Sequence, residues 1–250
     1  MSPILHDRIP YDTSARRLPG VSPLDPADWI LRDEVFAAQM ALRDRLILTR
    51  RNAVLAMTGA AEEAAQELLD VVLAHVRADP GYRCGDARIR RPDGVEVTID
   101  RTDPMGTAGR LVQDDLCVMQ KPEGGAEHVL TAAVLCFPAG WTLSEKIGRP
   151  LNRIHRPVPE YDGDIAKRVQ RLFDGVQAGR PLWRFNALRY VDPSLFQPRH
   201  EGEQKYGAEK DQAYLRSERQ TILRLPHSAA VVFGIHTFVV PLASAQNIDR

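Results

Sequence analysis

The amino-acid sequence predicts an α+β fold in which helices come first and an antiparallel sheet follows. Apolar residues recur at helical spacing in the first third of the chain, and the pattern changes to strand-like alternation near Ile89. The later strands are separated by short, turn-rich segments, which is typical of hairpins. We expect an N-terminal arm and helical extension over residues 1–88 and a sheet domain over residues 89–250, packed as one compact unit.

The first third of the chain predicts an extended arm and then helices. Residues 1–24 are rich in proline and arginine, while Asp25-Pro26 and Asp33 are typical of helix N-termini. A second helix follows Glu62 and ends at Asp79-Pro80-Gly81. Its apolar side chains are three or four residues apart: Ala65, Leu68, Leu69, Val72, Leu73 and Val76. No chemical motif lies in this part of the chain, so we interpret its role as structural: its helices pack against the rest of the fold.

The remaining two thirds predict strands joined mainly by tight turns. Val95, Val97 and Ile99 alternate after the turn residues Pro92-Asp93-Gly94, which indicates a hairpin. The further predicted elements are a hairpin of Leu116–Gln120 with His128–Phe137, a helix over Tyr161–Gln177, and strands Leu182–Leu188, Tyr214–Leu223 and Ala229–Val240. Gln197–Asp211 is polar and predicts a mobile surface loop.

Composition and missing motifs exclude several classes of protein. The 250 residues carry 33 Lys+Arg and 33 Asp+Glu, so no general attraction to nucleic acid or to a membrane surface is expected. The N-terminus has no signal-peptide core, which predicts a cytoplasmic protein. The three cysteines form no CxxC pair, and no nucleotide fingerprint such as GxGxxG occurs. Electrons for any redox reaction must therefore come through a bound group or a partner.

His155 is the first candidate for a ligand site. Pro150, Pro157 and Pro159 surround it, and a stiff segment loses little conformational entropy when it holds a ligand. The alternative is an exposed structural histidine on a proline-rich loop. His227 lies just before the last predicted strand and His236 lies within it, and both are interpreted as structural residues.

The turn Phe137-Pro-Ala-Gly-Trp141 is the second candidate. It follows an apolar strand, and its glycine and proline allow a ligand to approach the backbone closely. Alternatively, Trp141 is simply a packing lid over the core.

The third candidate is the strand Tyr214–Leu223, which has no cleanly apolar face. Alternation places Arg216, Glu218 and Gln220 on one side. An inward-facing polar row indicates a substrate or cofactor site, with Glu218 able to orient a histidine. The alternative is an edge strand whose charges prevent aggregation.

Five motifs together resemble one protein family. In chain order they are Leu111-Val-Gln-Asp-Asp-Leu116, Val134-Leu-Cys-Phe-Pro-Ala-Gly-Trp141, Lys146-Ile-Gly-Arg-Pro-Leu151, Ile154-His-Arg-Pro-Val-Pro159 and Arg216-Ser-Glu-Arg-Gln-Thr221. The chain resembles the alpha subunits of haem-dependent oxidative N-demethylases, the dimethylamine monooxygenase-like proteins. The resemblance is strongest from Leu111 to Leu242.

The resemblance implies a PAS-like domain that holds haem b and uses O2 to oxidise a small secondary amine such as dimethylamine. The products implied are the primary amine and formaldehyde, with electrons from NADPH through separate flavin and iron–sulfur subunits. It implies that His155 binds the iron and that Glu218 orients a histidine or relays protons. Trp141, Arg216 and Gln220 are the further candidates for cofactor contact.

Two other functions remain open at this point. The same fold serves haem-binding PAS-like sensors, and a member that has lost haem would be a structural subunit. The family tends to carry arginine where this chain has His227 and His236, so the pocket of this member differs from that of its relatives.

Overall fold

The computed structural model describes residues 2–14, 20–155, 163–203 and 209–245. The helices in these ranges are α1 (Phe36–Thr49), α2 (Arg51–Val54), α3 (Glu62–Ala78), α4 (Pro104–Leu111), α5 (Leu143–Lys146), α6 (Leu151–His155), α7 (Gly163–Gly175) and α8 (Leu242–Ala245). The strands are β1 (Ser22–Pro23), β2 (Leu55–Met57), β3 (Arg83–Cys84), β4 (Arg88–Arg90), β5 (Glu96–Thr98), β6 (Asp115–Gln120), β7 (Val129–Val134), β8 (Leu182–Tyr190), β9 (Tyr214–Arg224) and β10 (Val231–Pro241).

Seven strands form the main sheet in the order β1-β8-β9-β10-β6-β7-β2, and every neighbouring pair is antiparallel. Strands β3, β4 and β5 form a separate small sheet. This confirms the predicted α+β class and both predicted hairpins, β4–β5 and β6–β7.

Strand β9 lies in the interior of the main sheet. It pairs along its whole length with β10, from Tyr214↔Pro241 to Arg224↔Val231, and on its other side with β8. The edge-strand explanation for its charged residues is therefore wrong, because both of its backbone edges are hydrogen-bonded. The polar side chains of β9 instead stand above and below the middle of a sheet.

The sheet is covered on both faces, so the molecule has three layers. Successive residues of β6 alternate between two hydrophobic clusters: Leu116 and Val118 pack with α3, whereas Cys117 and Met119 pack with α5, α6 and α7. We call these sides the α3 face and the α7 face. All six apolar residues predicted for the inner side of α3 are buried.

Residues from the first 88 positions take part in this architecture directly. Strands β1 and β2 are the two outermost strands of the main sheet, and α3 supplies much of one cluster. The boundary drawn at residue 88 stays a prediction. Within the described ranges, no helix is at once long and apolar enough to cross a membrane.

Candidate functional site

His155 lies on the α7 face, at the last residue of α6. The expected stiff loop is thus wrong for this residue, because local hydrogen bonding continues the helix up to it, and Pro157 and Pro159 lie outside the described residues. The ring nitrogen Nδ1 is 3.0 Å from the carbonyl oxygen of Leu151, one helical turn earlier. Since a carbonyl only accepts, Nδ1 carries the proton and donates it, which fixes the orientation of the ring.

The surroundings of His155 favour the neutral imidazole. Burial lowers its pKa, the bond to Leu151 raises it, and the positive charges of Lys146 and Arg184 lower it further, with a net lowering. A neutral ring that donates from Nδ1 has its lone pair on Nε2. That is the form of histidine that binds a metal ion, and backbone carbonyls are common partners for the other nitrogen of a metal-binding ring.

A buried lysine holds the end of α6 in place. Nζ of Lys146 donates to the carbonyl oxygen of Ile154 and to Oε1 of Glu201, both at 2.7 Å. Arg153 donates to both carboxylate oxygens of Glu201 at 2.9 and 3.0 Å. The bonds from Arg153 and Lys146 lower the pKa of Glu201 to about 2. The position of His155 is therefore set from outside the helix as well as within it.

Glu218 projects from β9 on the same face as His155. Its Oε2 accepts from Nδ2 of Asn186 at 3.0 Å and from Nε2 of Gln220 at 3.1 Å, and its backbone N–H donates to Oδ1 of Asn186 at 3.2 Å. In the described part of the chain, Oε1 accepts no hydrogen bond. The carboxylate is thus oriented by two amides with one oxygen left to receive a proton, while the ring of His155 is oriented by Leu151.

Arg216 anchors the turn that carries Trp141. Its NH2 donates to the carbonyl oxygen of Phe137 at 2.6 Å and its NH1 to that of Leu195 at 3.1 Å. From the other side, the carboxylate of Asp115 accepts the backbone N–H of Phe137 at 2.8 Å. These contacts give Arg216 a supporting position beneath the turn, and its predicted contact with a cofactor stays a prediction. Trp141 packs on the α7-face cluster, partly buried.

Two residues of this region, Arg184 and Asn186, were missed in the sequence. Both lie on β8, where they pair with Gln220 and Glu218 and share their face. The signal was present: in the predicted strand Leu182–Leu188 the polar Arg184 and Asn186 alternate with aromatic residues. Lys146 begins one of the five motifs but was given no role, Glu201 was missed, and no spacing in the sequence connects the two residues.

A second cluster of charged groups lies on the α3 face. Oδ2 of Asp33 is 2.9 Å from Nε2 of His6 and 2.8 Å from Nε2 of His236, and Nδ1 of His236 is 3.2 Å from Oδ2 of Asp114. His6, Asp33 and His236 are close enough together to hold a metal ion. However, the backbone N–H of Val239 donates to Nδ1 of His6, so Nε2 of His6 carries a proton.

The protons of this cluster explain its geometry. Both nitrogens of His236 face carboxylate oxygens, which fits a doubly protonated ring. Burial lowers the pKa of His236, but Asp114 and Asp33 outweigh it and raise the pKa to about 9. The lone pairs that a metal would need are thus occupied by protons, and we interpret the cluster as a structural network that joins the N-terminal arm to β10.

Fold and site together define a three-layer α+β protein with a neutral, oriented histidine and a carboxylate on the same face of its sheet. A sequence profile of the family described as haem-dependent oxidative N-demethylase, alpha subunit-like, matches residues 20–249. The chain belongs to this family, which confirms the resemblance found in its motifs. The family description indicates haem dependence, an oxidative demethylation and an alpha subunit that works with other subunits.

Proposed function

We propose that the chain binds haem b through His155 and catalyses the oxidative N-demethylation of a small secondary amine such as dimethylamine. The overall reaction consumes the amine, O2, two electrons and two protons, and yields the primary amine, formaldehyde and water. The observation that carries the proposal is His155 itself: a half-buried imidazole with its lone pair on Nε2, on the same face of the sheet as the polar row of Asn186, Glu218 and Gln220. Bound haem supplies the iron that reacts with oxygen.

The residues of the α7 face fit haem, which is a flat apolar ring with charged propionates at its edge. The partly buried apolar side chains on this face include Trp141, Ile147, Ile154, Val169, Leu172 and Phe233. Arg184 adds a buried Nε atom that lacks a hydrogen-bond partner. Apolar walls with a few polar groups are the usual lining of cofactor sites.

The polar row has separate roles in this proposal. Glu218 exchanges protons between the pocket and solvent through Oε1, and binds the amine while it is a cation. Gln220 and Asn186 hold that carboxylate in place through Oε2. Arg216 fixes the turn so that Trp141 covers the ligand.

The partner subunits belong to the proposal as well. We infer that electrons come from NADPH through flavin and iron–sulfur subunits, because the sequence has no nucleotide fingerprint of its own. The PAS-like label and the cytoplasmic location stay predictions from the sequence.

Product analysis tests the proposed reaction. Purified chain reconstituted with haem and given a chemical reductant should consume O2 in the presence of dimethylamine and release methylamine and formaldehyde in equal amounts. His155→Ala should abolish this turnover, whereas His128→Ala, which removes another histidine on the α7 face, should retain it. Haem binding without amine-dependent turnover would contradict the enzymatic function and favour a sensor.

A further inference from the structure

Arg184 is a half-buried arginine whose charge has no ion-pair partner among the described residues. It projects from β8 towards the α7 face, opposite Gln220. Its Nε is buried without a hydrogen-bond partner, and no described carboxylate lies within ion-pair distance of it. Burial lowers its pKa, which the more distant charge of Glu218 offsets only in part. A buried charge in this situation costs free energy that a folded protein normally avoids.

Other buried arginines donate hydrogen bonds to acceptors within the described chain. Arg219, on β9, donates to the carbonyl oxygens of Trp29 and Asp28 at 3.1 and 2.6 Å. Arg43 has the carboxylate of Asp115 at 2.6 Å and three backbone carbonyls. Arg216 also has a buried Nε without a partner, but its NH1 and NH2 donate to the carbonyl oxygens of Leu195 and Phe137. The guanidinium of Arg184 differs because it has no hydrogen-bond acceptor among the described residues. Its electrostatic interactions with His155 and Glu218 place this charge at the ligand site.

We propose that Arg184 binds a carboxylate carried by the ligand of the α7-face site. A guanidinium offers a planar pair of N–H donors that matches the two oxygens of a carboxylate, and the pairing is strongest where water is excluded. Arg184 lies opposite Gln220 on the neighbouring strand. An anion bound to Arg184 would therefore lie next to the amide of Gln220 and within electrostatic reach of His155.

Two ligands could bring this carboxylate, and both rest on the proposed function. One is a propionate of haem. The other is the carboxylate of the substrate, in which case the preferred secondary amine is an N-methyl amino acid. The amine nitrogen would then face Glu218 while the carboxylate faces Arg184, so each charge of the substrate would meet the opposite charge on the protein.

The first measurement concerns the ligand-free chain and needs no haem. Arg184→Met removes the charge and keeps the volume, so the melting temperature should stay the same or rise. Arg219→Met is the matched control and should lower it, because two backbone carbonyls lose their donors. A fall for Arg184→Met as large as that for Arg219→Met would overturn the proposal, since it would show that Arg184 serves the fold.

The second measurement identifies the source of the carboxylate. If it is a propionate, wild-type protein should bind haem about tenfold more tightly than its dimethyl ester, and Arg184→Met should remove that difference. If it is the substrate's, haem affinity should be unchanged while the affinity for N-methylglycine falls about tenfold and that for dimethylamine stays constant. Unchanged affinity for all of these would overturn the proposal.

Failure of the proposed function gives a different result. If wild-type protein binds no haem, the function is wrong, and the carboxylate site is tested by the thermal stabilisation that sodium propionate or N-methylglycine gives the chain. Stabilisation of wild type but not of Arg184→Met would support the site, and equal behaviour of the two would overturn it.

Discussion

The imidazole of His155 acquires its chemistry from three neighbours of different kinds. The carbonyl of Leu151 fixes which nitrogen holds the proton, while burial and the positive charges of Lys146 and Arg184 keep the ring neutral. The sequence identified this histidine through its motif, but it could not show Arg184 beside it. That proximity depends on the packing of α6 over the sheet, which is a contact between distant parts of the chain.

Glu218 is expected to act through its charge rather than through its shape. Glu218→Gln keeps the size of the side chain and removes the acceptor of protons, so haem content should be retained while turnover falls about 100-fold or more. The measurement is the rate of formaldehyde release against pH, together with the haem spectrum. Wild-type turnover with a wild-type pH profile would show that Glu218 has no part in the reaction.

His236 should make stability depend on pH. Its folded-state pKa of about 9 lies above the ordinary value of 6.5, so its contribution is fully present below about pH 6.5 and is lost as the pH rises through about 9. His236→Asn should remove that contribution, and the stability difference between wild type and variant should shrink by on the order of 1–3 kcal/mol over this interval. Urea unfolding at several pH values measures it, and a constant difference would contradict the protonated ring.

Helix α6 has only five residues and depends on outside contacts for its position. Glu201→Gln weakens the contacts with Lys146 and Arg153, so we expect a several-fold loss of haem affinity and a mixture of spectral forms. Glu203→Gln is the control, since Glu203 is exposed and contacts only the backbone of His200 in the described structure. Equal haem affinity in both variants would show that α6 holds its position without this ion pair.

Helix α4 packs against β7 at a glycine. A Cβ on Gly109 would lie 2.5 Å from Cγ2 of Val134, which is too close for any side chain, whereas a Cβ on Gly59 would meet nothing within 4 Å. Gly109→Ala should therefore destabilise the protein by about 1–3 kcal/mol, and Gly59→Ala by much less. Thermal unfolding of the two variants tests this, and equal effects would contradict the close packing of α4 on the sheet.

The whole molecule shows which features follow from local patterns and which do not. Apolar runs and turn residues located the hairpin β6–β7 of the main sheet, and helical spacing located α3 together with its buried side, because each pattern belongs to one or two neighbouring elements. The order of the strands does not follow from such patterns, and so β9 could be read as an edge strand. The pairing of β9 with β8 and β10 brings Glu218 together with Asn186, and only the tertiary fold shows this.

The central claim is that His155 holds haem through Nε2, and replacement of the ring by free imidazole tests it most directly. The full-length His155→Gly variant should lose the haem absorption band of wild type. Added imidazole should restore the band at the wild-type position, because it fills the space of the missing ring and ligates the iron. A His155→Gly variant that binds haem with the wild-type spectrum in the absence of imidazole would contradict the account.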